Sequence, residues 1–369
     1  MAKILILGGS GFTGRLVARH LLERTTTEIV LAARNVDKVR SYADRLNGEF
    51  NGKRVSAVQA DASDSQRLRQ ILKEINLLVV AAPTTQYAEI VIRAAIDSKT
   101  DYLDVQLNAQ KLKLLKSYAQ DIQRAGLCFI TEAGFHPGLP AAMVRYVASH
   151  LDRIDTAVTA GYLNFGHSLP YTDAVNELME YFKNYQAQIF QNRRWTNPSD
   201  FQIRQINFGS EIGIRSSYSM FFEELKDLPT MLPTLNDLGF YIAGSHWFVD
   251  WVITPIVFAG VKIGPQSIFR PMGKLMWWGM QTFPKPPYIV LLKVEATGLK
   301  DGKLAKIVAT VSHTDGYELT AIPVVAALQQ YLDGSARRPG LWMMGHLVDP
   351  IQLFKDMQSM GVRVTSLFI

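Results

Sequence analysis

Lys3-Ile4-Leu5-Ile6-Leu7-Gly8-Gly9-Ser10-Gly11-Phe12-Thr13-Gly14 is the stretch that decides how this chain folds. A short apolar run, of the length of one buried strand, breaks with no polar spacer into a glycine turn. Leu16, Val17, His20 and Leu21 then follow at helical spacing, so strand, turn and helix arrive in that order. A phosphate-binding turn asks three things of its glycines: a tight bend, close approach of the backbone to a pyrophosphate, and close packing of helix on strand. The helix start then offers free amides and the positive end of its dipole to the anion. The spacing here is Gly8-x-x-Gly11-x-x-Gly14, not the strict G-x-G-x-x-G. Glycine clusters mark ordinary turns more often than cofactors, so the reading rests on the strand and helix that flank this one. Gly8, Ser10, Gly11, Phe12, Thr13 and Gly14 are accordingly the expected dinucleotide contacts.

Working outward, strands are expected at Glu28–Ala32, Arg54–Val58, Leu77–Ala81, Asp101–Asp104 and Leu127–Thr131, and helices at Val36–Leu46, Ser65–Ile75, Tyr87–Asp97 and Ala109–Ala125. Repeated strand-helix units imply a parallel sheet with right-handed crossovers, whose ligands sit at the carboxyl ends of the strands. Three strand ends carry cofactor signals. The second ends Ala33-Arg34-Asn35, where an NAD enzyme would place an acidic residue for the ribose 2'-hydroxyl. Arg34 instead suits a 2'-phosphate, with Lys38 as a second cation, and the expected cofactor is NADP; the plain alternative is a loop arginine. Asp61, followed by Ala62, either accepts from the adenine amine or caps a helix. Ala82 and Pro83 either leave room for ribose and nicotinamide or merely stop a strand.

The chain has 369 residues, enough for about two domains, with 20% charged and 48% apolar residues. That composition is globular. The single Cys128 excludes an intrachain disulfide framework and a multi-cysteine metal site, and no metal-spaced histidine cluster is present. A reducing, cytoplasmic setting is expected, and no signal peptide is visible. The excess of 39 basic over 33 acidic residues, +6, contains no long basic run; it points weakly to anionic ligands or membrane surfaces and away from nucleic acid.

After the Leu127–Thr131 strand comes Glu132-Ala133-Gly134-Phe135-His136-Pro137-Gly138-Leu139, which opens a helix at Ala141–His150. With the Gly8–Gly14 turn and the Ala33-Arg34 strand end, this segment resembles the saccharopine dehydrogenase-like reductases, a family that includes carboxynorspermidine and homospermidine synthases. Arg193-Arg194-Trp195, Glu223-Glu224-Leu225 with Leu228-Pro229, and Asp315-Gly316-Tyr317 with Thr320-Ala321 extend the resemblance over nearly the whole chain. It implies an NADP-binding Rossmann domain, a doubly wound parallel sheet, with an inserted α+β substrate domain of mixed sheet. The expected divisions are 1–135 for the nucleotide domain, 136–345 for substrate and oligomerisation, and 346–369 as a C-terminal helix returning to the first. Independently, Thr156–Leu163, Phe201–Phe208, Tyr288–Thr297 and Ala305–Ser312 alternate like strands, and Tyr171–Gln188, Leu319–Leu332 and Asp349–Met360 have helical periodicity.

The middle departs from the family. Leu238–Gly264 has only His246, Asp250 and Lys262 as ionisable groups, and a basic, aromatic stretch follows from Ile268 to Trp278. Asp250 and Pro255 argue against a spanning helix, which needs about 20 apolar residues. Ordinary core, a homodimer interface and a peripheral membrane face through residues 238–278 stay open. Catalytic residues are not legible: Glu132 and His136 lie near the expected nicotinamide end as candidate acid or base, against a structural role for His136 in its turn, and Cys128 reads as an inert buried thiol. The reading is an NADP(H)-dependent oxidoreductase moving hydride at a C–N, C=O or C=C centre of a small molecule. Its alternatives are a reductase of an apolar, lipid-like substrate at a membrane, and a non-catalytic NADP-binding protein that docks on membranes or partners.

Overall fold

Ile4, Leu5, Ile6 and Leu7 are all buried, and the strand they build, β1 (Lys3–Leu7), lies inside a parallel sheet. β2 (Glu28–Ala33) and β3 (Val55–Gln59) extend it to one side, and β4 (Leu77–Val80), β5 (Asp101–Asp104) and β6 (Cys128–Thr131) to the other. Helices α1 (Phe12–Arg24), α2 (Val36–Glu49), α3 (Ser65–Leu72), α4 (Ala88–Asp97), α5 (Ala109–Ser117) and α6 (Ala119–Arg124) connect them. Helices on both faces leave the strands no solvent side, which is why β1, β2 and β4 are near-continuous apolar runs. Strand order reverses between β1 and β4, and the crevice at such a switch point is where open α/β sheets hold ligands. The single helix expected at Ala109–Ala125 is broken at Tyr118 into α5 and α6.

In this computed structural model residues 1–166, 171, 173–185, 187–197 and 202–369 are described, and the chain divides into two units. Met1–Leu139 with Tyr317–Met360 make one, Pro140–Gly316 with Gly361–Ile369 the other. The second unit begins within α7 (Leu139–Ala148) and is built on a mixed sheet. Its strands are β7 (Arg153–Leu163), β8 (Ile189–Gln191), β9 (Arg194–Thr196), β10 (Ile203–Asn207), β11 (Ile214–Met220), β12 (Asp237–Ala243), β13 (Val290–Lys300) and β14 (Lys303–His313). β7 pairs parallel with β12 and antiparallel with β13. β13 and β14 form a hairpin closed by Asp301 (φ 50°) and Gly302 (φ 72°), the paired left-handed residues of a two-residue turn. Positions 172, 186 and 201, which fall inside the helix and strand expected at Tyr171–Gln188 and Phe201–Phe208, lie outside the described residues.

Three helices pack together in this unit: α8 (Asp173–Lys183), then, after the short α9 (Leu228–Met231), α10 (Thr254–Ile263) and α11 (Phe269–Thr282). A π-helical turn, Val249–Ile253, leads into α10. Val249, Ile253, Val257, Val261, Met179 and Met276 form their shared core. The 238–278 stretch therefore has two fates. Its first residues are the buried strand β12, and the remainder is mostly this helical layer. No helix among the described residues is long and apolar enough to cross a membrane.

The chain then returns to the first unit with α12 (Glu318–Leu332), β15 (Gly340–Met343), α13 (Met344–Leu347) and α14 (Pro350–Ser359), and ends in β16 (Arg363–Phe368). β15 pairs parallel with β6, so β6 is not the edge of the first sheet. Buried Asp101 on β5 accepts from the Tyr331 hydroxyl at 2.7 Å and from Arg337 Nε at 2.9 Å, tying α12 and its following loop to the sheet. The return thus starts near Tyr317 where the sequence suggested 346. The last strand goes elsewhere: after Gly361 (φ 96°) β16 pairs with β14 of the mixed sheet.

Candidate nucleotide site

The three motif glycines of the first turn meet three different surroundings. Gly8 (φ 96°) lies against the end of β4, and a Cβ there would stand 2.8 Å from the Ala81 carbonyl and from Ala82 Cβ. Its N–H donates to Ala32 O at 2.9 Å. At Gly14 a Cβ would stand 2.4 Å from Gly8 O, so α1 packs on the turn only because no side chain intervenes. Gly11 is different: a Cβ would meet only Gly8 O, at 3.3 Å, and otherwise open space. The protein's own packing requires Gly8 and Gly14, whereas nothing in the chain beyond Gly8 O crowds Gly11.

Gly11 is also the N-cap of α1 and contributes no side-chain acceptor to the first helical turn. In this unit α2, α3 and α5 have such acceptors, Asn35 to Lys38 N at 3.2 Å, Asp64 to Arg67 N at 2.9 Å and Asn108 to Lys111 N at 2.9 Å, whereas α4, α6, α12 and α13 start, like α1, without one. At α1 the amides of Phe12 and Thr13 follow Gly11 in the first helical turn, beside Ser10, and a helix start of this kind can receive an anion. Phe12 is 55% exposed and stacks on Tyr317 with ring centroids 4.9 Å apart.

Arg34 and Lys38 are both exposed at the end of β2 and the start of α2. Gln59 at the end of β3 holds the Arg34 carbonyl at 3.1 Å, fixing the backbone and leaving the guanidinium to swing. Asp61 does not cap α3; Asp64 does. Instead Asp61 Oδ1 accepts from Ser63 N at 2.9 Å and Ser63 Oγ at 2.7 Å, and these bonds, with a smaller contribution from Arg34, hold its carboxyl below the usual range. Ala62 beside it is buried.

At the end of β4 the Ala82 carbonyl accepts from Thr84 N at 2.8 Å and from Gln106 Nε2 at 2.5 Å, while Pro83 is exposed. Gln106 is itself set by a polar cluster that sequence reading missed. Lys111 and Asp104 are both fully buried. Lys111 Nζ donates to Asp104 Oδ1 at 2.7 Å, Gln106 O at 2.7 Å and Thr131 Oγ1 at 2.9 Å, so its three protons are all placed. Thr131 in turn donates to Asp104 Oδ2 at 2.8 Å. The pair locks the ends of β5 and β6 together beneath the Ala82 carbonyl. Nothing in the alternation around Lys111 distinguishes it from the other lysines of the same helix, and Asp104 was read only as the end of a strand.

Glu132 directly follows β6, is buried and has φ 54°, a conformation that costs a non-glycine residue energy and clusters at functional sites. His136, edge-on to Phe135 at 4.4 Å, is pushed down to a pKa of about 4 by burial. It is a neutral imidazole at physiological pH. Cys128 is buried, and its thiol is raised to about 11 by the same effect, which makes it inert. Among the described residues no group of three His, Cys, Asp or Glu could hold a metal.

Residues 4–127 match the saccharopine dehydrogenase NADP-binding domain family. That match covers about the first third of the chain, which is saccharopine dehydrogenase-like in this domain. Carboxyaminopropylagmatine dehydrogenase of Synechocystis sp. is 26% identical over 300 residues, 73% of this chain and 72% of that one. Carboxynorspermidine synthase of Vibrio cholerae is 22% identical over 401 residues, 96% of this chain and 94% of that one. In structure, apo saccharopine dehydrogenase (L-Glu forming) from Saccharomyces cerevisiae superposes with a TM-score of 0.72 at 13% identity, over 100% of both chains, and shares the fold. This saccharopine dehydrogenase-like protein is thus an NADP-binding oxidoreductase, as its sequence implied.

Proposed function

We propose that this saccharopine dehydrogenase-like enzyme moves hydride between NADP(H) and a carbon-nitrogen centre of a small, carboxylated amine. The observation that carries the nucleotide half of this reading is the open face of Gly11 at a helix start without a side-chain cap, set at the switch point of a parallel sheet. The substrate class is drawn from the two relatives matched along most of their length, whose names both describe carboxylated amines. Bound as NADPH the cofactor would give the hydride and bound as NADP it would take it; the chain's residues bind, orient and exclude water. In this reading the amides from Ser10 to Gly14 cradle the pyrophosphate, and Gly8 brings the turn against β4. Arg34, with Lys38, grips the 2'-phosphate. The carboxylate of Asp61, beside Ala62, faces the adenine. Ala82 and Pro83 bound the nicotinamide end, where the Gln106 bond fixes the Ala82 carbonyl. Glu132 and His136 are the proton-handling candidates at that end, and a histidine held neutral can accept a proton but not donate one at pH 7.

The test is an absorbance assay of NADP reduction with carboxylated polyamines, carboxynorspermidine first. Substrate-dependent reduction of NADP, faster than of NAD, is expected. Turnover of apolar enones or ketones with no response to any carboxylated amine would replace the substrate half of the proposal with the second reading, a reductase of lipid-like compounds. One observation favours that second reading, the outward apolar side of the π-helical turn and α10, where Trp251 and Ile256 are 51% and 53% exposed.

A further inference from the structure

The outward side of the helical layer in the second unit reverses the usual distribution of apolar and polar residues. From Val249 to Ile263 the exposed positions are Trp251, Pro255, Ile256, Ala259, Lys262 and Ile263, and only one of the six is polar. Ile263 is 87% exposed. These side chains are not needed to hold the layer together, because Val249, Ile253, Val257 and Val261 already fill its inner face. α11 runs antiparallel and close to α10: a Cβ on Gly279 would stand 2.5 Å from Ile253 Cδ1, and one on Gly260 would stand 2.9 Å from the Met272 sulfur. Ring contacts join the two ends of the layer. Trp247, 65% exposed, meets Phe248 at 5.6 Å; Phe248 meets Phe283 at 4.9 Å; and Phe283 meets Trp278, 45% exposed, at 5.3 Å. Trp277 is half-buried, edge-on to Tyr171, and takes no part in this face.

The charges are equally one-sided. From Trp251 to Leu292 there is no aspartate or glutamate, while Lys262, Arg270, Lys274 and Lys285 are all present and exposed. Lys262 is tied back to the Lys183 carbonyl at 3.0 Å. Arg270 and Lys274 are exposed on α11, about two turns and one turn before Trp278. The acidic residues of the layer are Asp173, Glu177 and Glu180 of α8 and the half-buried Asp250 of the π-helical turn, so none lies on α10 or α11.

We propose that the α10–α11 side is a docking surface for an anionic membrane, with Trp247, Trp251 and Trp278 at headgroup level and Arg270, Lys274 and Lys285 against the anionic headgroups. Indole rings favour that depth because one end is apolar and the N–H stays wet. A helix of the length of α11 spans about 21 Å, short of the roughly 30 Å hydrocarbon core, so the helices lie in the interface plane. A second copy of the chain fits this face less well: a two-fold contact would set Arg270 and Lys274 against their own copies with no carboxylate between them. The docking surface does not depend on the substrate assignment.

Flotation of the full chain with vesicles tests it, using phosphatidylcholine alone and phosphatidylcholine with an equal part of phosphatidylglycerol. Binding to the anionic vesicles, little to the neutral ones, and weakening with salt are expected. Trp247→Ser with Ile256→Ser should lose binding at an unchanged melting temperature. Arg270→Glu with Lys274→Glu should remove the anionic preference, at roughly fivefold in partitioning for each cation lost. The proposal is overturned by absent binding to anionic vesicles at low salt, or by equal binding to both vesicles. It is overturned as well if the Trp247/Ile256 variant melts well below the parent, which would mark the stripe as packing. A concentration-dependent dimer that this variant dissociates would assign the face to a second copy.

Discussion

The first sheet and the helical layer of the second unit use apolar residues in opposite ways. Around β1, every apolar side chain from Ile4 to Leu7 is inside, and the surface left for ligands is backbone: bare glycine, free amides, small residues at strand ends. Around α10 the inner side is full and large apolar side chains remain outside. A site for a polar anion is made by removing side chains, and a site for a greasy or layered partner by leaving them over. The glycine turn can therefore be broken by adding a single methyl group, while the aromatic face should be insensitive to any one substitution.

The largest expected effect tests whether the first sheet's order extends to its buried charges. Lys111→Met removes the cation from a wholly buried pair and leaves Asp104 uncompensated, at a cost of about 3–5 kcal/mol. Chemical denaturation should show it. A loss below ~1 kcal/mol would mean that water reaches Asp104 and that the ends of β5 and β6 are not locked as described.

Next, the two glycines of the turn should separate folding from binding. Gly14→Ala places a Cβ 2.4 Å from a backbone oxygen and should cost about 3 kcal/mol of stability, the upper end of overpacking penalties. Gly11→Val should leave melting of the nucleotide-free chain nearly unchanged while calorimetry finds no NADPH binding. Identical behaviour of the two variants would erase the distinction between the glycine that serves packing and the one that serves the ligand.

For Arg34→Asp, a hundredfold loss in NADPH affinity, about 2.7 kcal/mol, is expected with little change for NADH, because only the former carries the 2'-phosphate. Equal losses for both nucleotides in a titration would show that Arg34 acts on something they share.

The smallest effect lies in the second unit. Asp250, at the start of the π-helical turn, presses on Gly244, and burial raises its carboxyl to about 7, opposed in part by Arg215. A raised acid pKa means that the folded state holds its proton over a range in which the unfolded chain has lost it. Stability from this group therefore falls as pH rises from about 4 to 7, and the deficit persists above that. Asp250→Asn should thus stabilise the protein at pH 8 by about 2 kcal/mol, half the ~4 kcal/mol ceiling that the shift allows, and much less at pH 5. Melting curves at the two pH values that differ from the parent by the same amount would locate the carboxylate in water.

The same contrast explains what could be read in advance. The parallel strands were legible because cover on both faces turns them into apolar runs, and the glycine turn because its constraints are local in sequence. Arg34 was legible for the same reason, as the residue just past a strand end. Asp61 was half legible: its place was clear, but that Asp64 is the helix cap and Asp61 the turn carboxylate depends on backbone geometry. Lys111 was opaque because its partners Asp104 and Thr131 come from other strands. β16 was not placed because an edge strand with mostly exposed side chains loses the alternation that marks a strand. α10 was obscured because an apolar outer stripe cancels the helical period that its inner stripe would show.

The late arrival of α12 and β15 has a practical consequence for dissecting the protein. A fragment ending at Leu139 would contain the whole glycine turn and still be a poor nucleotide-binding module. Its β6 would present a bare row of amides and carbonyls where β15 belongs, an invitation to edge-to-edge aggregation. Asp101 would lose Tyr331 and Arg337 together. On the ribosome the same gap persists until more than 300 residues have emerged, so the first sheet to be synthesised is the last to be sealed. An isolated nucleotide-binding half should be made by splicing residue 139 to residue 317 through a short linker and stopping at residue 360, rather than by truncation.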